Sequence, residues 1–333
     1  MAGVIEDQPF TLEKPRYDLS AYSGRVKQMY QQTNPKYLFV SKGRADEAKK
    51  LLDDYAEGTA PAGTTDAELW EARAIREAVF HPETGEQIFP LFRFCAFSPS
   101  NVVIATTMLN PTVIASPILT LGVHWANQSY NAAINYANRN ASNPISTETL
   151  AKAYTGAVLS SCTIALGATY LTKKAANLSA AVKTLIRSTL PFAAVAAAGF
   201  ANVSLIRGVE ITDGVDLIDD EGVIRGRSPA AGKLGITECG LARVLWNIPI
   251  MVFPPVIMSQ LEKIRRVRTG SPGLKMCLEI GVIAGCLFTG VPPALAAFPQ
   301  VETIEAAKVE PEFQNLRNSK GNIITQFTFN KGL

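Results

Sequence analysis

Long stretches without any charged side chain alternate with polar stretches along the chain. The longest covers residues 94–138 and contains no Asp, Glu, Lys or Arg. Shorter ones cover residues 153–172, 188–206, 244–261 and 280–301. A membrane-spanning helix needs about 20 mainly apolar residues, and a soluble protein rarely contains five such stretches. The pattern therefore predicts five membrane-spanning helices, at about 97–121, 150–171, 188–206, 236–258 and 274–295.

The segments before and after these spans are polar. Residues 1–93 predict a soluble helical domain, and one of its helices begins at a capping box formed by Thr65 and Glu68. Residues 94–300 form the predicted transmembrane domain, and residues 301–333 form a C-terminal tail. The predicted fold class is an all-α polytopic membrane protein, with about five transmembrane helices and an N-terminal soluble helical domain.

Prolines interrupt two of the predicted spans. Pro111 follows Asn110 in the first span, and Pro249 lies two residues after Asn247 in the fourth. A proline within a membrane helix leaves a backbone carbonyl without its helical partner, so a neighbouring group or a ligand must satisfy it. Broken helices of this kind form solute sites in transporters. Asn110 and Asn247 are therefore candidate residues of a substrate path.

Composition narrows the class of function. Of the 333 residues, 47% are hydrophobic and 18% are charged, below the roughly 25% of soluble domains. The net charge of +3, without a basic patch interleaved with aromatic residues, argues against nucleic acid as a partner. The five cysteines and two histidines show no metal-ligand or redox spacing, so we expect no metal and no other cofactor. No catalytic motif is present, and we expect no enzymatic activity.

The charges between the predicted spans indicate an orientation. The loops after the second and fourth spans contain a single acid, Glu262, among many basic residues. The basic residues are Lys173, Lys174, Lys183, Arg187, Lys263, Arg265, Arg266, Arg268 and Lys275. Loops rich in Lys and Arg stay on the cytosol-equivalent side, so five spans place the N-terminal domain there too. The acidic hairpin at residues 213–221, the C-terminal tail and an asparagine-rich segment then lie on the opposite side.

The asparagine-rich segment is HWANQSYNAAINYANRN, residues 124–140. Four of its asparagines fall within an arc of roughly 80° on one face of a helix. They are Asn127, Asn131, Asn135 and Asn138. Two interpretations stay open. The amides either bond to one another, to water or to backbone, or they form one wall of a substrate path, where amide donors and acceptors suit a zwitterion with a hydroxyl.

Two smaller features also leave alternatives open. The HPETGE segment is either a turn that ends a helix or a proton-sensitive gate. The gate candidates are His81, Pro82 and Glu83. Glu279 lies within the fifth predicted span, where an acid is either functional or paired with Lys275 one turn earlier.

Seven segments carry a resemblance to a known family. They are RYDLSAYSGRVKQM at 16–29, HPETGE at 81–86, LNPT at 109–112, NQSYNAAINYANRN at 127–140, GVDLIDDEGVIRGRSPAAGK at 214–233, PPVIMSQLEK at 254–263 and ALAAFPQ at 294–300. In this order, and over nearly the whole chain, they resemble the sideroflexins, mitochondrial inner-membrane proteins with about five predicted spans. Glu83 is a departure, because the family usually has His-Pro-Asp-Thr at this point. The longer side chain puts in doubt any contact that needs a fixed reach.

The resemblance implies a function that the residues alone do not specify. It implies a multi-pass protein of the mitochondrial inner membrane that imports small neutral amino acids, serine above all, for one-carbon metabolism in the matrix. Alanine and cysteine are further substrates that it allows. Combined with the charges of the loops, it places the N-terminus in the matrix and the C-terminus in the intermembrane space. The expected partners are the amino acid and the lipid bilayer, together with homo-oligomers or inner-membrane complexes.

Two other functions were weighed against transport of an amino acid. A non-transporting membrane scaffold that supports respiratory-chain or iron-handling assembly is the main alternative. A tricarboxylate carrier fits less well, because its anionic substrate needs several Arg or Lys in the spans, and the predicted spans have none at their centres. A substitution in the asparagine-rich segment should alter substrate selectivity in a transporter and partner recovery in a scaffold.

Overall fold

The structure is a computed structural model that describes residues 9–81, 84–138, 146–174, 180–299 and 301–331. The chain forms two compact units. The first unit comprises residues 1–107, 129–144 and 253–296, and the second comprises residues 108–128, 145–252 and 297–333.

Helices make up most of the described chain. In chain order they are α1 (Tyr22–Gln32), α2 (Lys42–Ala56), α3 (Asp66–Val79), α4 (Phe97–Leu109), α5 (Pro111–Ala115), α6 (Pro117–Ala137), α7 (Thr147–Lys174), α8 (Ala180–Ile206), α9 (Val209–Thr212), α10 (Pro229–Met251), α11 (Phe253–Leu261), α12 (Arg265–Arg268) and α13 (Pro272–Leu295). The strands are β1 (Val215–Ile218), β2 (Ile224–Ser228), β3 (Val301–Glu305) and β4 (Gln326–Asn330).

The N-terminal helices of the first unit pack as a soluble protein does. The predicted capping box at the start of α3 is confirmed, because the Thr65 hydroxyl accepts from the Glu68 N–H at 3.3 Å and Glu68 Oε2 accepts from the Thr65 N–H at 2.8 Å. Trp70 is buried on α3 and meets the ring of Phe10 edge-on, with 4.8 Å between centroids. Leu52 of α2 is buried in the same cluster. The polar faces of both helices are exposed.

The charge-free stretch at residues 94–138 forms three helices, α4, α5 and α6. The α4 helix ends at Leu109, Pro111 is the first residue of α5, and the Asn110 side chain accepts from the Thr112 N–H at 2.9 Å. A second break separates α5 from α6. The predicted first span at 97–121 is therefore not one continuous helix, because the missing N–H of Pro111 ends the hydrogen-bond ladder there.

The ends of this stretch lie beside each other in the first unit. The Tyr130 hydroxyl donates to the Ala96 carbonyl at 3.2 Å, and Asn138 Nδ2 donates to the Phe92 carbonyl at 2.9 Å. The chain that leaves the N-terminal helices at Phe92 has therefore returned to the same place by Asn138.

Two helices in the described part of the chain are long and apolar enough to cross a membrane. One is formed by α10 and α11 together, Pro229–Leu261, with 33 residues and a mean hydropathy of 1.6. The other is α13, with 24 residues and a mean hydropathy of 1.7. They coincide with the predicted fourth and fifth spans. The α7 and α8 helices have 28 and 27 residues, whereas shorter apolar helices occur at Phe94–Leu109 and Phe192–Leu205. The count of five spans stays a prediction.

Within the described residues, four strands form an antiparallel sheet in the second unit, so the all-α prediction is wrong in this respect. The strand order is β2-β1-β4-β3, and Ile218 of β1 pairs with Thr328 of β4. Phe327 and Phe329 are fully buried beneath it with Leu217. A two-stranded hairpin alone is marginally stable. The hairpin and the C-terminal tail, which were predicted separately, complete one sheet by pairing.

An ion pair closes the hairpin of this sheet. Asp219 accepts from the N–H groups of Glu221 and Val223 at 2.9 and 2.8 Å and from Arg225 Nε at 2.6 Å. Burial alone would raise the pKa of the Asp219 carboxyl, but these hydrogen bonds outweigh it and hold the pKa below its usual value. Gly222 takes a positive φ of 78° in the turn, as its glycine signal predicts.

Candidate functional site

One face of α6 in the second unit buries polar side chains. His124 is 3% exposed, and Thr120, Asn127 and Gln128 are buried on the same face. The exposed side chains of this part of α6 are apolar: Ile118 is 80% exposed and Trp125 56%. A water-soluble helix shows the opposite arrangement, so we call Thr120, His124, Asn127 and Gln128 the buried polar stripe. An inverted helix of this kind suits a lipid surface outside and a polar interior.

His124 links the stripe to α7. Its Nδ1 lies 2.8 Å from Oγ of Ser161, which is fully buried. A serine hydroxyl and a neutral imidazole can each donate or accept, so the pair can reverse its hydrogen bond when a third polar group arrives. Thr120, in contrast, uses its hydroxyl to bond the Val113 carbonyl at 2.8 Å. The His124–Ser161 pair is therefore the adaptable part of the stripe.

Glycines bring α8 close to α7 and α10. A Cβ added to Gly156 of α7 would lie 2.4 Å from Cδ1 of Leu205, and one added to Gly240 of α10 would lie 2.4 Å from the Phe200 ring. Larger residues at these two positions would push the helices apart, as at small-residue contacts between membrane helices. The contacts join the start of α7 to the end of α8, so the two helices are antiparallel.

Arg243 lies in the seam between α8 and α10, and two polar atoms on these helices, Arg243 Nε and Asn202 Oδ1, are buried without a hydrogen-bond partner in the described chain. Arg243 of α10 lies over Gly199 of α8, whose added Cβ would sit 3.4 Å from Cβ of Arg243. The guanidinium stands 5.2 Å from the Trp246 ring centroid, and among the described residues its buried Nε has no hydrogen-bond partner. Asn202 of α8 is 8% exposed, and its Oδ1 likewise finds no partner in the described chain.

Asn247, a predicted path residue, is buried one turn beyond Arg243. Its Nδ2 donates to the Arg243 carbonyl at 2.6 Å. Pro249 is accommodated inside α10, and the helix ends only at Met251. Because a proline has no N–H, the carbonyl four residues earlier, that of Leu245, loses its helical donor. The Asn247 amide bonds a different carbonyl, so the break frees a backbone acceptor next to the seam.

The predicted asparagine row is not uniformly buried. Asn127 belongs to the buried polar stripe, Asn131 and Asn135 are half-buried, and Asn138 is exposed. The amide of Asn138 donates to the carbonyls of Phe92 and Ile134 at 2.9 and 2.8 Å, which favours a structural role for this residue. The row therefore runs from a buried end to an exposed end along α6.

The other predicted site residues do not gather around this row. Asn110 is exposed and caps α5. Glu279 is half-buried on α13, and within the described residues no ion pair joins it to Lys275. His81 is buried, and its Nδ1 accepts from the Thr84 N–H at 3.2 Å, as expected for a tight turn. Pro82 and Glu83 lie outside the described residues, so the proposed gate stays a prediction.

A cluster of charges holds the C-terminal strand against the ends of α8 and α10. Lys331 is 2% exposed, and its ammonium binds Glu238 of α10 and Glu302 of β3, the latter at 3.2 Å. Arg207 forms a bidentate pair with Glu210 at 2.6 and 2.7 Å and donates to the Lys331 carbonyl. The carboxylates near this end of the helices are therefore already paired.

Comparison with known proteins identifies the family. The family model of the sideroflexins matches residues 11–333. The chain belongs to the sideroflexin family. A sideroflexin of Dictyostelium discoideum is 38% identical over 318 residues, which are 96% of each chain. Human sideroflexin-5 is 37% identical over 326 residues, covering 98% of this chain and 93% of the relative, and sheep sideroflexin-1 is 34% identical over 322 residues, covering 97% of each. No solved structure matches the chain.

Four polar residues of this site were not among the predicted site residues. His124, Ser161, Asn202 and Arg243 were all missed. The predicted spans were described as lacking Arg and Lys at their centres, yet Arg243 falls within the predicted fourth span and lies in the seam. Its position directly before the charge-free stretch 244–261 is the signal that could have found it. Within the described residues no group of His, Cys, Asp and Glu could hold a metal ion.

Proposed function

We propose that this protein carries a small neutral amino acid, with serine as the first candidate, across the mitochondrial inner membrane. Membership of the sideroflexin family supports the membrane and the organelle, and the two long apolar helices agree with a membrane protein. Serine as the substrate, and matrix one-carbon metabolism as its destination, come from the family resemblance. Alanine and cysteine are the next candidates.

The observation that carries the proposal is the inverted face of α6. Thr120, His124, Asn127 and Gln128 are buried while Ile118 and Trp125 are exposed. Polar side chains placed at membrane depth are costly unless they bind one another or a passing solute. The His124–Ser161 pair, at 2.8 Å, offers both a donor and an acceptor to a substrate hydroxyl. In a scaffold that moves no solute, the same groups would serve only as contacts between helices.

Transport would proceed by alternating access without covalent chemistry. The half-buried Asn131 and Asn135 continue the face of Asn127 along α6 by single helical turns, so we place all three on the path. Asn247 contributes through the break at Pro249, which frees a backbone carbonyl. Asn110, Asn138 and Glu279 remain proposed members of the path, and the His81–Glu83 segment remains a proposed gate. We also keep the proposed five spans and the proposed N-terminus in the matrix.

Uptake of radiolabelled serine into liposomes that contain the purified chain tests the proposal. Wild-type protein should give saturable uptake. Asn127→Leu, Asn131→Leu and Asn135→Leu should reduce it, most strongly at the fully buried Asn127. Trp125→Phe, on the exposed side of the same helix, is the matched control and should leave uptake within about twofold of wild type, because surface substitutions of similar shape change little.

Two other outcomes would contradict the proposal in different ways. Uptake that survives all three leucine substitutions would make the asparagine row structural and leave transport intact. A well-folded wild-type preparation that takes up no member of an amino acid panel would reject transport. The scaffold for respiratory-chain or iron-handling assembly would then be the better function, and recovery of inner-membrane partners would be the measurement to make next.

A further inference from the structure

Arg243 is a cation in the seam of a membrane helix pair without a matching anion. Glu210 pairs with Arg207 and Glu238 pairs with Lys331, and in the described chain no ion pair reaches Arg243. An unpaired charge at membrane depth is costly and marks a functional site by default. The stacking of the guanidinium on Trp246 offsets only part of the loss of water.

Asn202 supplies the opposite polarity on the facing helix. It follows Gly199 by three residues on α8, so the two positions are neighbours on the helix surface, one turn apart. Arginine side chains on a helix extend toward its N-terminus, and α10 runs antiparallel to α8, since Gly199 faces Arg243 and Phe200 faces Gly240. The Arg243 side chain therefore extends along α8 in the direction of Asn202. An unpartnered cationic Nε on α10 and an unpartnered carbonyl oxygen on α8 thus lie about one helical turn apart along the two helices.

We propose that Arg243 binds the carboxylate, and Asn202 Oδ1 the ammonium, of a zwitterionic α-amino acid. A zwitterion satisfies both groups with one small molecule, whereas an anion without an ammonium leaves the Asn202 carbonyl unpaired. Gly199 leaves the space that the arginine side chain occupies, with 3.7 Å between its added Cβ and Cδ of Arg243. This site rests on the proposed transport of amino acids and names the groups of the substrate that are recognised.

Competition in liposomes tests the two contacts separately. In wild-type protein, serine should compete for serine uptake about ten- to a hundredfold better than its methyl ester, which lacks the carboxylate charge, because hydrogen bonds between charged groups are the strong ones. N-acetylserine, which lacks the ammonium, should also compete poorly. Arg243→Gln should weaken competition by serine and make serine no better a competitor than its methyl ester. Asn202→Leu should make serine no better a competitor than N-acetylserine. Arg227→Gln, an exposed arginine on β2, is the control.

Thermal unfolding of the protein in detergent distinguishes a failure of this site from a failure of the proposed function. Serine should raise the unfolding temperature of wild type, and the methyl ester should not. If wild type takes up no amino acid, the proposed function fails, yet this shift still tests the site. If the methyl ester binds wild type as well as serine does, the site proposal is overturned without any variant. A folded Arg243→Gln protein that keeps the serine preference would overturn it as well.

Discussion

Two helices of this protein, α3 and α6, sort their side chains in opposite ways. On α3 the buried residues are apolar, Leu69, Trp70 and Ile75 among them, and Glu68 and Glu77 are exposed. On α6 the residues of the buried polar stripe face inward, and the apolar Ile118 and Trp125 face outward. Both helices hide the side chains that their surroundings solvate poorly. The arrangement of α3 suits water, whereas that of α6 suits the lipid surroundings of the proposed function.

The difference also separates stability from function. Burying Trp70 or Leu69 removes apolar surface from water, which stabilises the fold directly. Burying His124 removes a polar group from water and stabilises nothing unless its hydrogen bonds are replaced. The interior of α3 is therefore explained by folding alone, whereas the interior of α6 requires the internal partner Ser161 and, in the proposed function, a solute.

The largest effect is expected at Trp70. Trp70→Ala should lower the free energy of unfolding of the N-terminal helices by about 3–5 kcal/mol, because it leaves a cavity in a water-driven core. Urea denaturation of the detergent-solubilised full chain, followed by circular dichroism, measures the loss. Phe39→Ala, at a side chain that is 82% exposed, is the control and should cost far less. Equal costs at both positions would show that α3 is not packed as described.

His124→Leu tests the contrast between α3 and α6 most directly, because it should change transport without changing stability. The substitution removes one buried hydrogen bond, and serine uptake should fall about tenfold, the equivalent of one such bond. The thermal midpoint should stay close to wild type, because leucine suits an apolar surrounding and a freed serine hydroxyl can bond a carbonyl of its own helix. Unchanged uptake with a lowered midpoint would instead make the His124–Ser161 pair a structural contact.

The features that sequence predicted correctly depend on residues close together in the chain. The Thr65–Glu68 capping box and the helix break at Asn110–Pro111 each need only four or two neighbouring residues, and the structure contains both. The apolar helices at 229–261 and 272–295 follow from local hydropathy. The local sequence is enough to predict these elements, because the conformations that compete with them also depend only on neighbouring residues.

The features that sequence missed depend on partners far away in the chain. The alternation in QFTFN, residues 326–330, is visible, but its partner strand β1 lies about 110 residues earlier. The His124 side chain points inward, where it bonds Ser161 on another helix. Helical periodicity does not reveal such a contact, so it selected the asparagines of that segment instead. Arg243 was missed because the spans were predicted from charge-free stretches, and Arg243 lies directly before one of them, at residues 244–261.

A smaller effect is expected at the cap of α3. Thr65→Ala should lower the stability of the N-terminal helices by about 1 kcal/mol, since it leaves the Glu68 N–H without its side-chain acceptor. Thr65→Ser keeps the hydroxyl and should recover most of the loss in the same urea measurement. A serine variant as unstable as the alanine variant would assign the effect to the lost methyl group rather than to the cap.

The same cap should depend on pH. The N–H and hydroxyl of Thr65 donate to the Glu68 carboxylate and hold its pKa below the usual 4.5. A carboxyl whose pKa is lower in the folded state stabilises the fold fully above its unfolded pKa. That contribution is lost as the pH falls through the folded pKa. The difference in urea midpoint between wild type and Glu68→Gln should therefore be largest at neutral pH and shrink on acidification below 4.5. A difference that is constant with pH would show that the Glu68 charge does not take part in the cap.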